Sequence, residues 1–251
     1  MLISRLLKAI DIEYKDKDAD IKLITDNSKK CTKDCIFICT DKGTDYVEEA
    51  LAKGAVLIIA QEKITANCVV VPDARKAFAV LSAEFFRNCH KRLRLIGVTG
   101  TNGKTTVCEM LYAIMSFEGK NCGLISTVNN SLYGEETGTT PDPFTLHKML
   151  YDCYEKGAEI CIIECSSQGL EQKRLFGLNF ETAVFTSFSR DHLDYHLTEE
   201  NYLEAKKTLF YECENSVINL DDGKAAEFIS SSKGRALTYS VKKDEADFTA
   251  K

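Results

Sequence analysis

The chain has 251 residues, with 32 Lys and Arg against 38 Asp and Glu, giving a formal net charge of −6 and a sequence pI of about 5.4. That length accommodates two ordinary domains whose cores need no covalent staples, and the acidic balance excludes the basic surface by which proteins hold nucleic acid. The longest apolar runs, such as VLIIA, are too short to span a membrane, and the opening MLISRLLKAI lacks the apolar length and small-residue cleavage site of a secretory signal, so it reads as an amphipathic helix and the chain as cytoplasmic.

Eleven cysteines are scattered through the chain, many inside apolar segments, and in a reducing compartment they read as small buried hydrophobes. Cys31, Cys35 and Cys39 recur every four residues, but no CxxC pair or nearby histidine supports a metal there.

Residues 1–90 carry short apolar runs at 35–39 (CIFIC), 56–60 (VLIIA) and 68–71 (CVVV), which predict strands. A helix is expected over 45–53, closed by Gly54, and a second from the cap Asp73 to about Cys89. This is a small α/β domain. The cations at 91–94 mark either a hinge or a basic strand entry into a second domain, 91–251.

The second domain opens on LRLIGVTGTNGKTT, residues 93–106. Leu95, Ile96, Gly97 and Val98 read as a buried strand, Gly100 and Gly103 as a turn, and Lys104, Thr105 and Thr106 as a helix start. Such a turn lets backbone N–H groups converge on an anion at the positive end of a helix. Lys104 adds a cation for phosphate, and Thr105 a hydroxyl for a phosphate-bound divalent ion. The eight-residue Walker pattern is not met, because its first glycine falls at Val98.

A helix over 104–117 precedes Gly119, and a strand is expected at 122–127. Asp142-Pro143 starts another helix ending before Gly157. Strands follow at 159–164 and 181–186, a helix capped by Thr198 running to about Glu212, and a strand at 216–220. Strands alternating with helices predict an α/β, P-loop-type, mostly parallel sheet with helices on both faces and ligands at the carboxyl ends of the strands.

Several residues fall at those ends. Glu164 closes the run ICIIE and suits a second Mg²⁺ anchor. The segment DHLDYH, 191–196, holds half of the four histidines between carboxylates and suits a metal or a proton relay, with a capped polar loop as the competitor. Lys206 and Lys207 lie in the helix that follows, and on composition alone each reads as a solvated helix residue. Thr139 and Thr140 place two hydroxyls just before a helix N-terminus, where caps are also common.

Together these segments resemble the Mur ligase family, and within it the branch that adds the third residue of the peptidoglycan precursor. The matching motifs are TGTNGKTT (99–106), GTTPD (138–142), IECSSQGLEQKR (163–174), SRDHLDYH (189–196) and YLEAKKTLF (202–210), with Asp26, Asn27, Ser28 and Lys29 as a looser match. The resemblance implies a UDP-MurNAc-binding domain over 1–90 and a central ATP-binding domain over 91–251. It implies ATP phosphates on Gly100, Thr101, Asn102, Gly103, Lys104, Thr105 and Thr106, with Asn219 facing the nucleoside. Mg²⁺ would be served by Thr105, Glu164, His192 and a carbamylated Lys206; Lys104, Lys206 and His192 are the catalytic set. Ser28, Thr139, Thr140, Ser166, Gln172 and Arg174 match positions that hold the UDP-muramoyl-dipeptide.

The implied reaction transfers the ATP γ-phosphate to a substrate carboxylate and lets the amine of a free, diamino acid displace it. A monomer free of nucleic acid and membrane is expected. Three departures bear on substrate geometry: Lys29 stands where the family has Arg, Gln168 where this branch has His, and Ser187 where Asn is usual. The chain also stops at Lys251 without the third domain that reads the amino acid. A folylpolyglutamate synthetase is the enzymatic alternative, disfavoured by TTPD and SSQGLEQKR, and a non-catalytic nucleotide- and UDP-sugar-binding fragment is the other.

Overall fold

A computed structural model describes residues 1–128, 130 and 138–250. The chain divides into two compact units: Met1–Asn88 with Lys173–Gly177, and Cys89–Gln172 with Leu178–Lys251.

The first unit contains helix α1 (Ile3–Lys8), strands β1 (Leu23–Thr25) and β2 (Cys35–Ile38), helix α2 (Val47–Ala52), strands β3 (Ala55–Ala60) and β4 (Cys68–Val70), and helix α3 (Ala74–Phe85). The strands form a parallel sheet in the order β1-β2-β3-β4. Every residue of β2 is buried, as its unbroken apolar sequence requires in a sheet covered on both faces. Cys31, Cys35, Cys39 and Cys68 pack with Phe37, Val47 and Ile58 in one core, and all eleven cysteines of the chain are free thiols.

Asp73 caps α3 by accepting from Lys76 N at 3.0 Å. The helix stops at Phe85, short of the expected Cys89, because Arg87 and Asn88 both turn into the left-handed region. The expected helix over 45–53 divides into a 3₁₀ turn, Gly43–Tyr46, and α2.

The second unit follows a 3₁₀ turn, Cys89–Arg92, with β5 (Arg94–Thr99), α4 (Lys104–Phe117), β6 (Cys122–Ile125), α5 (Pro143–Glu155), β7 (Ile160–Glu164), α6 (Ser167–Glu171), β8 (Phe180–Phe185), α7 (Leu193–His196), α8 (Glu199–Lys207), β9 (Asn215–Asn219), α9 (Ala225–Ser231), β10 (Arg235–Ser240) and β11 (Phe248–Thr249). The sheet runs β11-β10-β9-β8-β5-β7-β6, and its strand pairs are parallel. The strand order therefore reverses around β5, flanked by β7 and β8, and such a switch point opens a crevice at the carboxyl ends.

Alternate residues of β5 serve opposite layers. Val98 and Ile96 pack with Val107, Cys108 and Leu111 of α4. Gly97 points the other way, where an added Cβ would meet the Phe180 ring and Leu209.

Helix α8 ends at Lys207 rather than near Glu212. Thr208 turns its hydroxyl back onto Ala205 O at 2.7 Å, and the chain tightens into a 3₁₀ turn that buries Leu209 and Phe210. The α6, α7 and α9 helices and strands β1, β10 and β11 have no counterpart in the sequence pattern. They are short, and β10 runs from an exposed Arg235 through four half-buried residues with no alternation before its buried last position.

Candidate active site

The loop between β5 and α4 is strapped to the segment that leaves β8. Thr101 N donates to Ser187 O at 2.7 Å, Asn102 N to Ser187 Oγ at 3.1 Å, and Ser189 N to Thr101 Oγ1 at 3.0 Å. Thr186 Oγ1 lies 2.7 Å from Asn102 O. The approach is so close that a Cβ on Gly100 would sit 2.0 Å from Thr186 Oγ1, and Gly100 has φ +152°. Gly103, at φ +81°, makes the left-handed turn that starts α4. The first amides of α4 thus point out of the turn, as an anion site at a helix N-terminus requires.

Two lysines converge on this loop. Lys104 Nζ donates to Gly100 O at 3.0 Å and Thr101 O at 2.9 Å. Lys206 Nζ donates to the same Gly100 O at 2.8 Å. Lys206 is 1% exposed, and its ammonium lies 4.3 Å from the centroid of the Tyr202 ring. Burial, then the charge of Lys104, pushes Lys206 down to about 7, against the opposing pull of Asp191. Burial likewise holds Lys104 below its ordinary value, opposed by Glu164 and Asp191. Tyr202 also reaches the loop, its hydroxyl 3.1 Å from Thr101 Oγ1.

Glu164, at the tip of β7, is 2% exposed. Its Oε1 accepts from Thr105 Oγ1 at 3.0 Å, and its Oε2 accepts from both the N–H and the hydroxyl of Thr127 at 2.9 Å. The loop between β5 and α4 and the strand-end acid are thereby joined through Thr105, the residue predicted to serve a cation.

The paired oxygens of Thr105 and Glu164 suit a hard divalent ion. Among the described residues no group of three or more His, Cys, Asp or Glu is assembled for a metal. His192 is not brought to the Thr105–Glu164 pair: the residue is left-handed at φ +52°, half exposed, and its Nε2 lies 3.6 Å from Asp191 Oδ2.

The hydroxyls before the helices do two jobs. Thr139 Oγ1 lies 3.1 Å from Thr127 Oγ1. Thr140 Oγ1 donates to Glu164 O at 2.9 Å and accepts from Ser166 N at 2.9 Å, fixing the turn after β7. Ser166 Oγ caps α6 by accepting from Gly169 N at 3.0 Å. Gln172 Nε2 donates to Tyr195 OH at 2.8 Å, and that hydroxyl donates to Glu171. His196, buried, lies 2.9 Å from Ser167 Oγ. Asn219 Nδ2 donates to Thr186 O at 2.8 Å, which ties the ends of β8 and β9 together behind the loop.

Ser28 and Arg174 belong to the first unit. Ser28 Oγ donates to Glu49 Oε2 at 2.6 Å. Arg174 lies in the 173–177 segment, which is anchored there by Lys173 on Asp73 at 2.5 Å. The residues sequence reasoning missed are Thr127, Tyr202 and Thr186. Their one available signal was a hydroxyl at or just past the carboxyl end of a strand, or one turn before Lys206.

Residues 98–251 match the Mur ligase middle domain. The chain is 35% identical to a UDP-N-acetylmuramoyl-L-alanyl-D-glutamate--2,6-diaminopimelate ligase of Clostridium perfringens, over 100% of this chain and 55% of that protein. Its identity to the protein of the same name from Parabacteroides distasonis is 38%, over 93% of this chain and 51% of that one. A solved structure of such a diaminopimelate ligase superposes with a TM-score of 0.84 at 33% identity, over 99% of this chain and 54% of that one. The chain spans about half the length of the curated relatives it matches. With the matched segment running from the end of β5 through its loop and everything that closes on Gly100, the chain belongs to the Mur ligase family.

Proposed function

We propose that the chain carries the ATP-binding half of a carboxylate-activating site, in a ligase that joins an amino acid to UDP-MurNAc-L-Ala-D-Glu. The observation that supports this most is the meeting of Lys104 and Lys206 on Gly100 O beside the Thr105–Glu164 pair. The loop amides, Lys104 and Thr105 hold the ATP phosphates, with Asn219 behind the nucleoside end.

A carboxylate approaching a polyanion meets a repulsion of roughly 4 kcal/mol per charge pair at about 4 Å and an effective dielectric near 20. Lys104 offsets part of this from a fixed position, so the site acts by positioning and charge neutralisation. Thr105 and Glu164 would hold a Mg²⁺ ion, which when bound would supply Lewis-acid polarisation of the γ-phosphate. The γ-phosphate passes to the substrate carboxylate, giving an acyl phosphate and ADP; the incoming amine then attacks the acyl carbon, expels phosphate and releases a proton.

Lys206, about half neutral at pH 7, is suited to carbamylation: its free amine adds to CO₂ and releases a proton, replacing a cation by an anion next to Lys104. His192, half exposed beside Asp191, is not among the residues that would hold the cation in this arrangement. Thr139, Thr140, Ser166 and Gln172 contribute to holding the UDP-muramoyl-dipeptide, as do Ser28 and Arg174. The relatives' names point to 2,6-diaminopimelate as the acid added, by a monomeric enzyme in the cytoplasm.

The test is phosphate release by the longer parent protein with ATP, Mg²⁺ and UDP-MurNAc-L-Ala-D-Glu. Release that rises on addition of 2,6-diaminopimelate is expected; no release with any diamino acid, each added in turn, would remove the ligase reading and leave a nucleotide- and UDP-sugar-binding module.

A further inference from the structure

The hydroxyl of Thr127 is within donating distance of two acceptors, Glu164 Oε2 at 2.9 Å and Thr139 Oγ1 at 3.1 Å. A hydroxyl has one proton, so it serves one of them at a time. The carboxylate is the stronger acceptor, because a bond to an ionised group is shorter and stronger than a neutral one. The Thr127 N–H also donates to Oε2, which fixes the backbone while the hydroxyl remains free to rotate. Glu164 is 2% exposed, so water offers little competition for its lone pairs. On the far side, Ser126 Oγ donates to Glu109 Oε1 of α4 at 3.0 Å, which pins the turn that presents Thr127.

We propose that Thr127 is a positioning residue that couples Glu164 to Thr139 through this single proton. With Glu164 unshared, the proton rests on Oε2 and holds the carboxylate with Oε1 toward Thr105. When a cation draws on the carboxylate, the proton turns to Thr139, and the Thr139 hydroxyl is left to donate its own proton outward. Engagement of the carboxylate and the donor state of Thr139 are then linked, and such linkage is reciprocal. The inference rests on the ATP·Mg²⁺ reading of the Thr105–Glu164 pair and extends it to the neighbouring threonines.

The experiment is a double-mutant cycle on ATP·Mg²⁺ affinity of the 251-residue chain, using calorimetry on the wild type, Thr127→Val, Thr139→Val and the double variant. Thr127→Val is expected to lose about tenfold in Mg²⁺-dependent ATP affinity while binding ATP without Mg²⁺ as before, since one bond to a charged group is lost. Thr127→Ser restores it. Thr139→Val is expected to change the affinity in the wild type and to have no effect in the Thr127→Val background. Additive effects, or a Thr127→Val variant that keeps its Mg²⁺ response, would overturn the coupling. If the wild type takes up no ATP, the phosphate-site reading falls by itself. A crystal structure of Thr127→Val then decides the positioning claim: a turned Glu164 carboxylate supports it, and an unmoved one ends it.

Discussion

Lys104 and Lys206 donate to one oxygen, Gly100 O, at 3.0 and 2.8 Å. Their nitrogens are thus within roughly 6 Å of each other, where two unit charges at an effective dielectric near 20 repel by about 3 kcal/mol. Burial first and that repulsion second act on Lys206, which is 1% exposed, and its amine is brought to about 7. An amine in that range is half neutral at physiological pH and is relieved of the repulsion when it becomes a carbamate.

Carbamylation should therefore follow the deprotonation of Lys206. With ¹³C-labelled bicarbonate, a protein carbamate signal is expected to grow between pH 6 and pH 8 and to be absent from Lys206→Ala. Equal signal in that variant would take the carbamate away from this residue.

Gly100 and Gly103 predict different costs. Gly100→Ala places a Cβ 2.0 Å from Thr186 Oγ1 and 3.0 Å from the Ser187 backbone, and is expected to destabilise the second unit by about 3 kcal/mol in urea unfolding. Gly103→Ala meets no atom closer than 3.9 Å and carries only the left-handed backbone cost, about 1 kcal/mol. Similar losses at the two positions would show that the strap onto Thr186 is misplaced.

His147 gives the second unit an acid sensitivity of its own. Both of its ring nitrogens are buried and have no hydrogen-bond partner among the described residues, and burial, then the nearby His90, lowers the imidazole to about 3. In the unfolded chain the same group titrates near 6.5. The folded state binds fewer protons, so this stability is whole above pH 6.5 and is lost as pH falls toward 3, at about 1.4 kcal/mol per pH unit. Unfolding measured at pH 7 and pH 5 should show a loss of about 2 kcal/mol that His147→Phe removes; an unchanged slope in that variant would assign it to other groups.

Much of the fold was readable because its cues were local. The buried strand β5, the two glycines and the Lys-Thr-Thr that opens α4 follow one another without a gap, and Asp73, Asp142 and Thr198 each cap the helix they precede. The Mur resemblance was legible for the same reason, since five motifs lie in register.

What depends on distant packing was not legible. Lys206 and Lys207 are adjacent and chemically identical, yet one is sealed against Gly100 O and the Tyr202 ring while the other pairs with Glu204 at 2.9 Å on the surface. Thr127 looked like the last residue of a strand; the strand ends at Ile125, which frees Thr127 to fold over Glu164. His192 drew attention by composition, and the structure leaves it half exposed beside Asp191.

The central claim is that the loop after β5 holds the phosphates of ATP. Calorimetric titration of the 251-residue chain with ATP and Mg²⁺ tests it directly, alongside Lys104→Ala. The account predicts saturable binding that weakens by tenfold or more, about 1.4 kcal/mol, when the ammonium that faces the loop is removed. No binding by the wild type, or equal affinity in Lys104→Ala, would contradict it.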